Sequence, residues 1–398
     1  MNRFHEPFVL TGNVCTDGKM LENQSILVEN GTITSIGDKS SIPAGFNGEV
    51  INIPSPYVIA PGFIDIHIHG AGGADTMDAT DEALETMANT LVKEGTTSFL
   101  ATTITQKKEA IEKALENVAT YMKEKNSPGQ AEILGVHLEG PFINSKRKGA
   151  QPEEYILEPS IEQFDRWQEI ASGTIKIVTM APEKENGLDF VKHLTNTGVI
   201  SSIGHSDANY SDVEKAVQSG ASHITHLFNG MKGLHHREPG TAGGALLLDD
   251  LTVEIIADGF HIRPEMIDLA VRLKGLDRVI LITDAMRAKW LPDGESELGG
   301  QVVIVKDGKA TLTSGSLAGS ILKMNQAVKN IMDFAQLSLP EAVKLATVNP
   351  AKKIGVDHRK GSIEIGKDAD FVIIDEQIQP IMTITKGTIA FKGVEGKF

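Results

Sequence analysis

The chain is expected to fold as an α/β protein, a (β/α)8 barrel carrying a small β-sandwich made from its N- and C-terminal segments. Three observations predict this. Between residues 61 and 356, eight short apolar runs alternate with amphipathic stretches; residues 1–60 and 357–398 return to a period of two; and histidines and acids collect at the ends of the apolar runs. Strand–helix units in this number read as a parallel barrel. A doubly wound open sheet is the alternative, because counting strands does not show closure.

In the first segment, SILVENGTITSIGD (25–38) holds two alternating stretches around Asn30-Gly31, a dipeptide suited to the positive φ angles of a tight hairpin. PSPYVIAPGF, with prolines at 54, 56 and 61, then marks a boundary near residue 60. FIDIHIHG (63–70) opens the eight runs, followed by TTSFLATTIT (96–105), EILGVHLEG (132–140), IKIVTMAPE (175–183), VISSIGHS (199–206), HITHLFN (223–229), LTVEIIADGFH (251–261) and VILITDAM (279–286). Helices fit between them. Leu84, Met87 and Leu91 form an apolar stripe ahead of Gly95, a natural stop. Ser160 with Gln163 and Ser211 with Glu214 have capping-box spacing, and Pro264 suits a first helical turn.

LPEAVKLATVNPAKKIG (339–355) reads as a helix stopping at Asn349-Pro350. From Lys360 the period is two again, through GSIEIGKDADFVIID and IMTITKGTIAFKG. Neither terminal strand set buries a face alone, since an isolated hairpin is marginal, so the two are paired in one small sandwich.

The formal net charge of −15 argues against a broad nucleic-acid-binding face, and the lone Cys15 excludes an internal disulfide framework or a cysteine zinc cluster. MNRFHEPFVL lacks the apolar core of a signal peptide, and no run of about 18 apolar residues suggests a membrane span. A cytoplasmic protein with no nucleic-acid or membrane partner is the expectation. The Lys146–Lys148 run reads as a solvated loop.

In FIDIHIHG, His67 and His69 share one face of the strand with Asp65. Two imidazoles so placed can grip one metal ion. Glu139 ends the third run, His205 the fifth and His226 the sixth; His261 follows the seventh, and Asp284 ends the eighth. Each alone has a bland alternative, a capping acid or a satisfied core histidine. At matching positions on consecutive units, where the active face of a barrel lies, they read together as a site. Mixed imidazole and carboxylate ligands suit zinc, iron or manganese better than magnesium. Glu139, His205 and His226 would leave a ligand position for water, and His67 with His69 could complete a second site bridged by Glu139. Asp284 would serve as general base and then general acid. Metal-assisted hydrolysis of an amide or a related bond follows as the reaction class.

The segments PGFIDIHIHG, HLEGPF, GHSDA, THLFNGM, HHREPG, ADGFH, LITDAM and GKDADFVIID resemble the amidohydrolase superfamily and, within it, the N-acetylglucosamine-6-phosphate deacetylase family. The resemblance covers nearly the whole chain. HxH and GKDAD are shared across the superfamily, whereas HLEGPF with HHREPG is specific to the deacetylases. It implies a homodimer, one or two divalent ions per chain (zinc, iron, manganese or cobalt) on Glu139, His205, His226, His67 and His69, and Asp284 as the acid–base residue. It also implies a phosphorylated amino-sugar substrate held by Ala150, Gln151, Asn229, Gly230, Arg237, His261, Leu317, Ala318 and Gly319. Family members often have histidine where Gln151 stands. A guanidinium at Arg237 is moreover what an acidic chain needs to hold a phosphate dianion. The implied reaction is hydrolysis of the acetamide of N-acetyl-D-glucosamine 6-phosphate to D-glucosamine 6-phosphate and acetate, in amino-sugar catabolism and cell-wall sugar recycling. The alternatives are an N-acetylgalactosamine-6-phosphate deacetylase, another metal amidohydrolase, or a non-catalytic assembly protein of the same ancestry.

Overall fold

The eight apolar runs form eight parallel strands, each hydrogen-bonded to the next in chain order. In the computed structural model, which describes residues 6–393, they are β1 (Phe63–Ile68), β2 (Thr96–Thr103), β3 (Glu132–Glu139), β4 (Ile175–Met180), β5 (Ile200–Ile203), β6 (His223–Ile224), β7 (Thr252–Ile256) and β8 (Val279–Ile282). The sheet closes. Ile68 bridges Ala285 in parallel, and the Asp284 amide donates to the His67 carbonyl at 2.9 Å. Closure rules out the open doubly wound sheet and brings the first run beside the last.

The strands are shorter at their carboxyl ends than the apolar runs suggest. β5, β6 and β8 each stop two residues before His205, His226 and Asp284, which take positive φ values of 47°, 29° and 48°. Left-handed backbone in non-glycine residues is uncommon and is held only where surrounding structure dictates it. Here it turns the chain out of the ladder and leaves these side chains at the mouth of the barrel.

Local signals place several helices. Asp81–Leu91 buries Leu84, Met87 and Leu91, and Gly95 closes the following turn at φ 84°. Ser160 caps Ile161–Ile170 through Gln163 N, and Pro264 opens Pro264–Lys274. The Ser211 and Glu214 pairing does not form: the cap lies two residues earlier, where Asn209 and Asp212 make the reciprocal box that starts Tyr210–Gln218. The long C-terminal helix also divides. Leu339–Leu345 ends before the non-helical Thr347 (φ −136°, ψ −78°), and Pro350 lies inside the first turn of Val348–Lys353, where a missing N–H costs nothing.

The terminal segments share one eight-stranded sheet. Phe8–Thr16 pairs along one edge with Lys19–Glu29, and on the other with Glu49–Asn52 and then Val58–Pro61. Val58–Pro61 in turn pairs with Phe371–Ile374 of the C-terminal segment. Asn30 (φ 51°) and Gly31 (φ 75°) make the expected tight turn. Phe8, Leu10, Ile26 and Val28 meet Phe371, Ile373 and Ile384 in a single buried cluster, so strands from both ends of the chain cover one core as a sandwich. Residues 361–370, read from their alternation as strand, contribute only an isolated bridge from Asp368 to Thr32. Residues 1–5 and 394–398 lie outside the described residues.

A three-stranded antiparallel sheet, Gly294–Leu298, Gln301–Lys306 and Lys309–Leu312, was not anticipated from the sequence. Gly299-Gly300 and Asp307-Gly308 at its turns are hairpin signals. Its buried Leu298, Val303 and Val305 pack on Ile104, Met286 and Ala318, seating the insertion against the barrel mouth.

Candidate active site

At that mouth, Glu139 stands between two groups of histidines. Its Oε1 lies 3.2 Å from His205 Nε2 and 3.1 Å from His226 Nε2, and those two nitrogens are 3.1 Å apart. His205 Nδ1 donates to the Arg147 carbonyl at 2.8 Å and His226 Nδ1 to the Asn229 carbonyl at 3.2 Å. A carbonyl can only accept, so both Nδ1 atoms carry a hydrogen, and in the neutral ring that leaves the lone pair on Nε2. Three acceptors then converge with no donor among them. In the neutral rings a shared cation relieves that arrangement, and separations near 3 Å are what atoms about 2 Å from one ion require.

The second group is similar. His69 Nε2 lies 3.2 Å from Glu139 Oε2 and 3.3 Å from Asp284 Oδ1. His67 Nε2 is 3.4 Å from Glu139 Oε1 and 3.5 Å from Asp284 Oδ1, yet it makes no hydrogen bond although fully buried. An orphaned buried nitrogen aimed between two carboxylates fits a ligand atom better than a structural one. Without an ion, protons must balance the acids. Burial opposes the charge on His69, but hydrogen bonds to Asp284 and Glu139 overturn this and lift its pKa to about 10. His67 is raised in the same way, against its burial, by Glu254, Asp284 and Glu139. Burial likewise disfavours the charge on Glu139, and His67 more than reverses it, holding that carboxyl well below the usual range. Asp284 is lowered by the same balance, with His67 again the first opposing cause.

The family follows from the match of residues 58–395 to the amidohydrolase family model. The chain belongs to the amidohydrolase family. Its relatives include the N-acetylglucosamine-6-phosphate deacetylase of Bacillus subtilis (strain 168), 45% identical over 379 residues that cover 95% of each chain. Among solved structures, the N-acetylglucosamine-6-phosphate deacetylase of Thermotoga maritima matches with a TM-score of 0.86 at 35% identity, over 97% of this chain and all of the other. A mutant of the Mycobacterium smegmatis N-acetyl-D-glucosamine-6-phosphate deacetylase, solved in complex with N-acetyl-D-glucosamine-6-phosphate, matches with a TM-score of 0.90 at 28% identity, over 97% of this chain and 100% of the other.

The cavity of this amidohydrolase over Glu139 and Asp284 is lined by Ala150, Gln151, Asn229, Gly230, His261, Leu317 and Gly319 of the residues the resemblance assigns to substrate. Gly230 has a physical reason to be glycine: at φ 53°, an added Cβ would sit 2.9 Å from His205 Nδ1. Gln151 is buried and bonds Glu139 itself, its Nε2 donating to Oε2 at 2.7 Å. Asp258 fixes the next wall residue. It accepts the His261 amide at 2.8 Å and lies 2.6 Å from His261 Nδ1; burial opposes the imidazolium there, but Asp258 raises its pKa. Ala318 does not line the cavity: its side chain is buried in the cluster with Met286 and Ala310. Arg237 is also absent from the wall. It is exposed on the loop beyond Gly230, with its Nη1 2.7 Å from His236 Nε2.

The sequence reading missed several residues here. Ile104 and Leu298 supply apolar wall, Leu298 from the unanticipated sheet. Beneath the candidate ligands, His137, His223 and Glu254 form a buried layer. Burial and then the nearby His67 push the His137 pKa down to about 3, so that ring stays neutral. A signal was available, since Glu254 interrupts an otherwise apolar strand, and charged residues are rarely fully buried without a partner.

Proposed function

We propose that this amidohydrolase removes the acetyl group of N-acetyl-D-glucosamine 6-phosphate by hydrolysis, releasing D-glucosamine 6-phosphate and acetate, as a cytoplasmic homodimer serving amino-sugar breakdown. The observation that carries the reading is the convergence of Glu139 Oε1 with His205 Nε2 and His226 Nε2, beside Asp284, in a chain 45% identical to a deacetylase of that name. Amidohydrolases are metal-dependent, and two of the ligand-competent groups in this chain, Glu139 with His205 and His226 and His67 with His69 and Glu139, fit one ion each. A divalent ion there supplies Lewis acidity, bringing the pKa of water toward neutrality and polarising the amide carbonyl.

The chain's own residues do the rest. Asp284 Oδ1 faces the space between His67 and His69, where it takes the proton of the attacking water and delivers it to the leaving nitrogen. Ile104 and Leu298, with Ala150 and Leu317, form the apolar part of the wall, suited to the acetyl methyl and to excluding bulk water. Asn229, Gly230, His261 and the loop at Leu317–Gly319 hold the sugar, while Arg237, on the exposed loop outside the cavity wall, is assigned the 6-phosphate by the family resemblance and the chemistry of its guanidinium alone.

The test is acetate release from a panel of N-acetylglucosamine 6-phosphate, N-acetylgalactosamine 6-phosphate and their unphosphorylated counterparts. The proposal expects the first to be turned over best and Arg237→Ala to lower kcat/KM for it about ten- to a hundredfold, with little change for free N-acetylglucosamine. Equal losses on both sugars would remove Arg237 from phosphate binding, and no acetate from any of the four would remove the function.

A further inference from the structure

Of the fully buried carboxylates that the proposed chemistry leaves unused, Glu254 is the one in contact with the imidazole of His67. Glu254 lies in the middle of β7, directly under the ligand groups. Its Oε2 is 2.9 Å from His67 Nδ1 and accepts the backbone N–H of His226 at 3.0 Å, while its Oε1 lies 3.1 Å from His223 Nε2. His223 is itself held through Nδ1, 2.6 Å from Thr252 Oγ1.

We propose that Glu254 is a positioning residue that gives His67 Nε2 to an ion at the His67–His69 position, and so sets how tightly the second ion is retained. An imidazole presents a lone pair at only one nitrogen, and an acceptor at Nδ1 decides which. With Glu254 holding the Nδ1 hydrogen, the His67 Nε2 lone pair faces Glu139 Oε1 and Asp284 Oδ1. The comparison between ligands makes the assignment selective. His205 and His226 have their Nδ1 atoms fixed by neutral carbonyls, those of Arg147 and Asn229. Among the described residues, His69 Nδ1 has no hydrogen-bond partner. Only His67 leans on a carboxylate, the partner that most strengthens an imidazole as a donor to metal. Loss of the Glu254 charge therefore acts chiefly on the ion that His67 holds. The inference rests on the reading that His67 and His69 hold an ion.

The experiment is titration of Zn²⁺ into metal-free full-length wild type, Glu254→Gln, His67→Ala and the double variant, by calorimetry with elemental analysis after dialysis. Wild type is expected to take two ions and His67→Ala one. Glu254→Gln should keep the first affinity within about threefold and weaken the second about 10- to 100-fold. In the His67→Ala background, Glu254→Gln should have no further effect on zinc binding. If Glu254→Gln weakens both ions alike, or acts equally with and without His67, the residue only supports the fold through His223 and His226, and the inference is overturned. If His67→Ala loses an ion and Glu254→Gln retains both at wild-type affinity, the inference fails while the two-ion reading stands. If His67→Ala leaves the stoichiometry at two, the two-ion reading itself fails and takes the inference with it. Should Glu254→Gln not fold, Glu254→Asp carries the comparison: it keeps the charge but withdraws it from His67 by one methylene, and a smaller, still selective loss of the second ion is expected.

Discussion

Gln151 donates its side-chain amide to Glu139 Oε2 at 2.7 Å while its own Oε1 accepts the backbone N–H of Thr105 at 2.8 Å. One amide thus ties the carboxylate shared by both histidine groups to the end of β2, and it does so from a buried position. Gln151→Leu leaves the Thr105 amide without its acceptor and frees Glu139 to rotate. We expect a stability loss of about 1–3 kcal/mol in urea unfolding, from the unsatisfied buried group, together with reduced turnover. Gln151→His, which keeps a donor, should recover more turnover than leucine does. A leucine variant with kcat within twofold of wild type would show that Glu139 needs no such tether.

Asp284→Asn should preserve the fold and lose most of the rate. The left-handed backbone at this position (φ 48°) is one that asparagine adopts readily, and the bonds tying Asp284 to His67 and Ser320 are made by its backbone. An amide cannot accept the proton of the attacking water. A loss of about 10² to 10⁴ in kcat is expected, with an unchanged unfolding midpoint. Turnover within a few fold of wild type would assign the proton to another group.

Metal uptake should expel protons. Hydrogen bonds to Asp284 and Glu139 hold His69 protonated up to about pH 10 in the metal-free protein, overcoming the opposing effect of burial. An ion can take that nitrogen only after the proton leaves, so affinity should fall as pH falls and protons should be released on binding. Calorimetry at pH 8 in buffers of differing ionisation enthalpy reads this directly. A binding heat independent of the buffer would mean that no proton leaves. Chelation of the metal should abolish acetate release, and full turnover by metal-free protein would contradict the mechanism.

At the opposite end of the barrel, Glu132 at the start of β3 receives Arg359 at 2.9 and 3.0 Å, Lys360 at 2.7 Å and Lys386 at 3.0 Å, joining the barrel to the C-terminal segment. Burial raises its pKa, but Arg359 and Lys360 outweigh that and bring it down to about 2. A carboxyl depressed on folding stabilises the native state above its unfolded pKa, and that contribution disappears as pH falls through the folded value. Between about pH 4.5 and 2 the wild type should therefore lose stability of order 3 kcal/mol from this group. Glu132→Gln should be less stable at pH 7 and should lack that part of the acid dependence. Parallel wild-type and mutant stability curves across this range would show that the network contributes nothing.

Much of the fold was legible because its signals are local. Eight apolar runs, the Leu84, Met87 and Leu91 stripe, Pro264 and the Asn30-Gly31 turn each act within a few residues, where period and backbone preference decide the outcome. The nomination of Glu139, His205, His226 and Asp284 was of the same kind, since carboxyl ends of strands can be located without knowing what faces them. Competition between neighbouring signals was harder to judge: Asn209 with Asp212 displaced the equally spaced Ser211 with Glu214 as the cap.

By itself the sequence determined the eight barrel strands, their succession along the chain and the chemical types gathered at one end of them. Only the tertiary structure decided that His67 and Asp284, far apart in the chain, stand 3.5 Å apart, because that depends on the sheet closing on itself. It also decided that Glu254 and His137 face the histidines from inside the barrel, that Leu298 reaches the cavity, and that Arg237 stays outside it. A period of two says which residues share a face of a strand. Which face becomes the interior, and which distant strand lies across from it, is settled only when all eight strands pack around one axis.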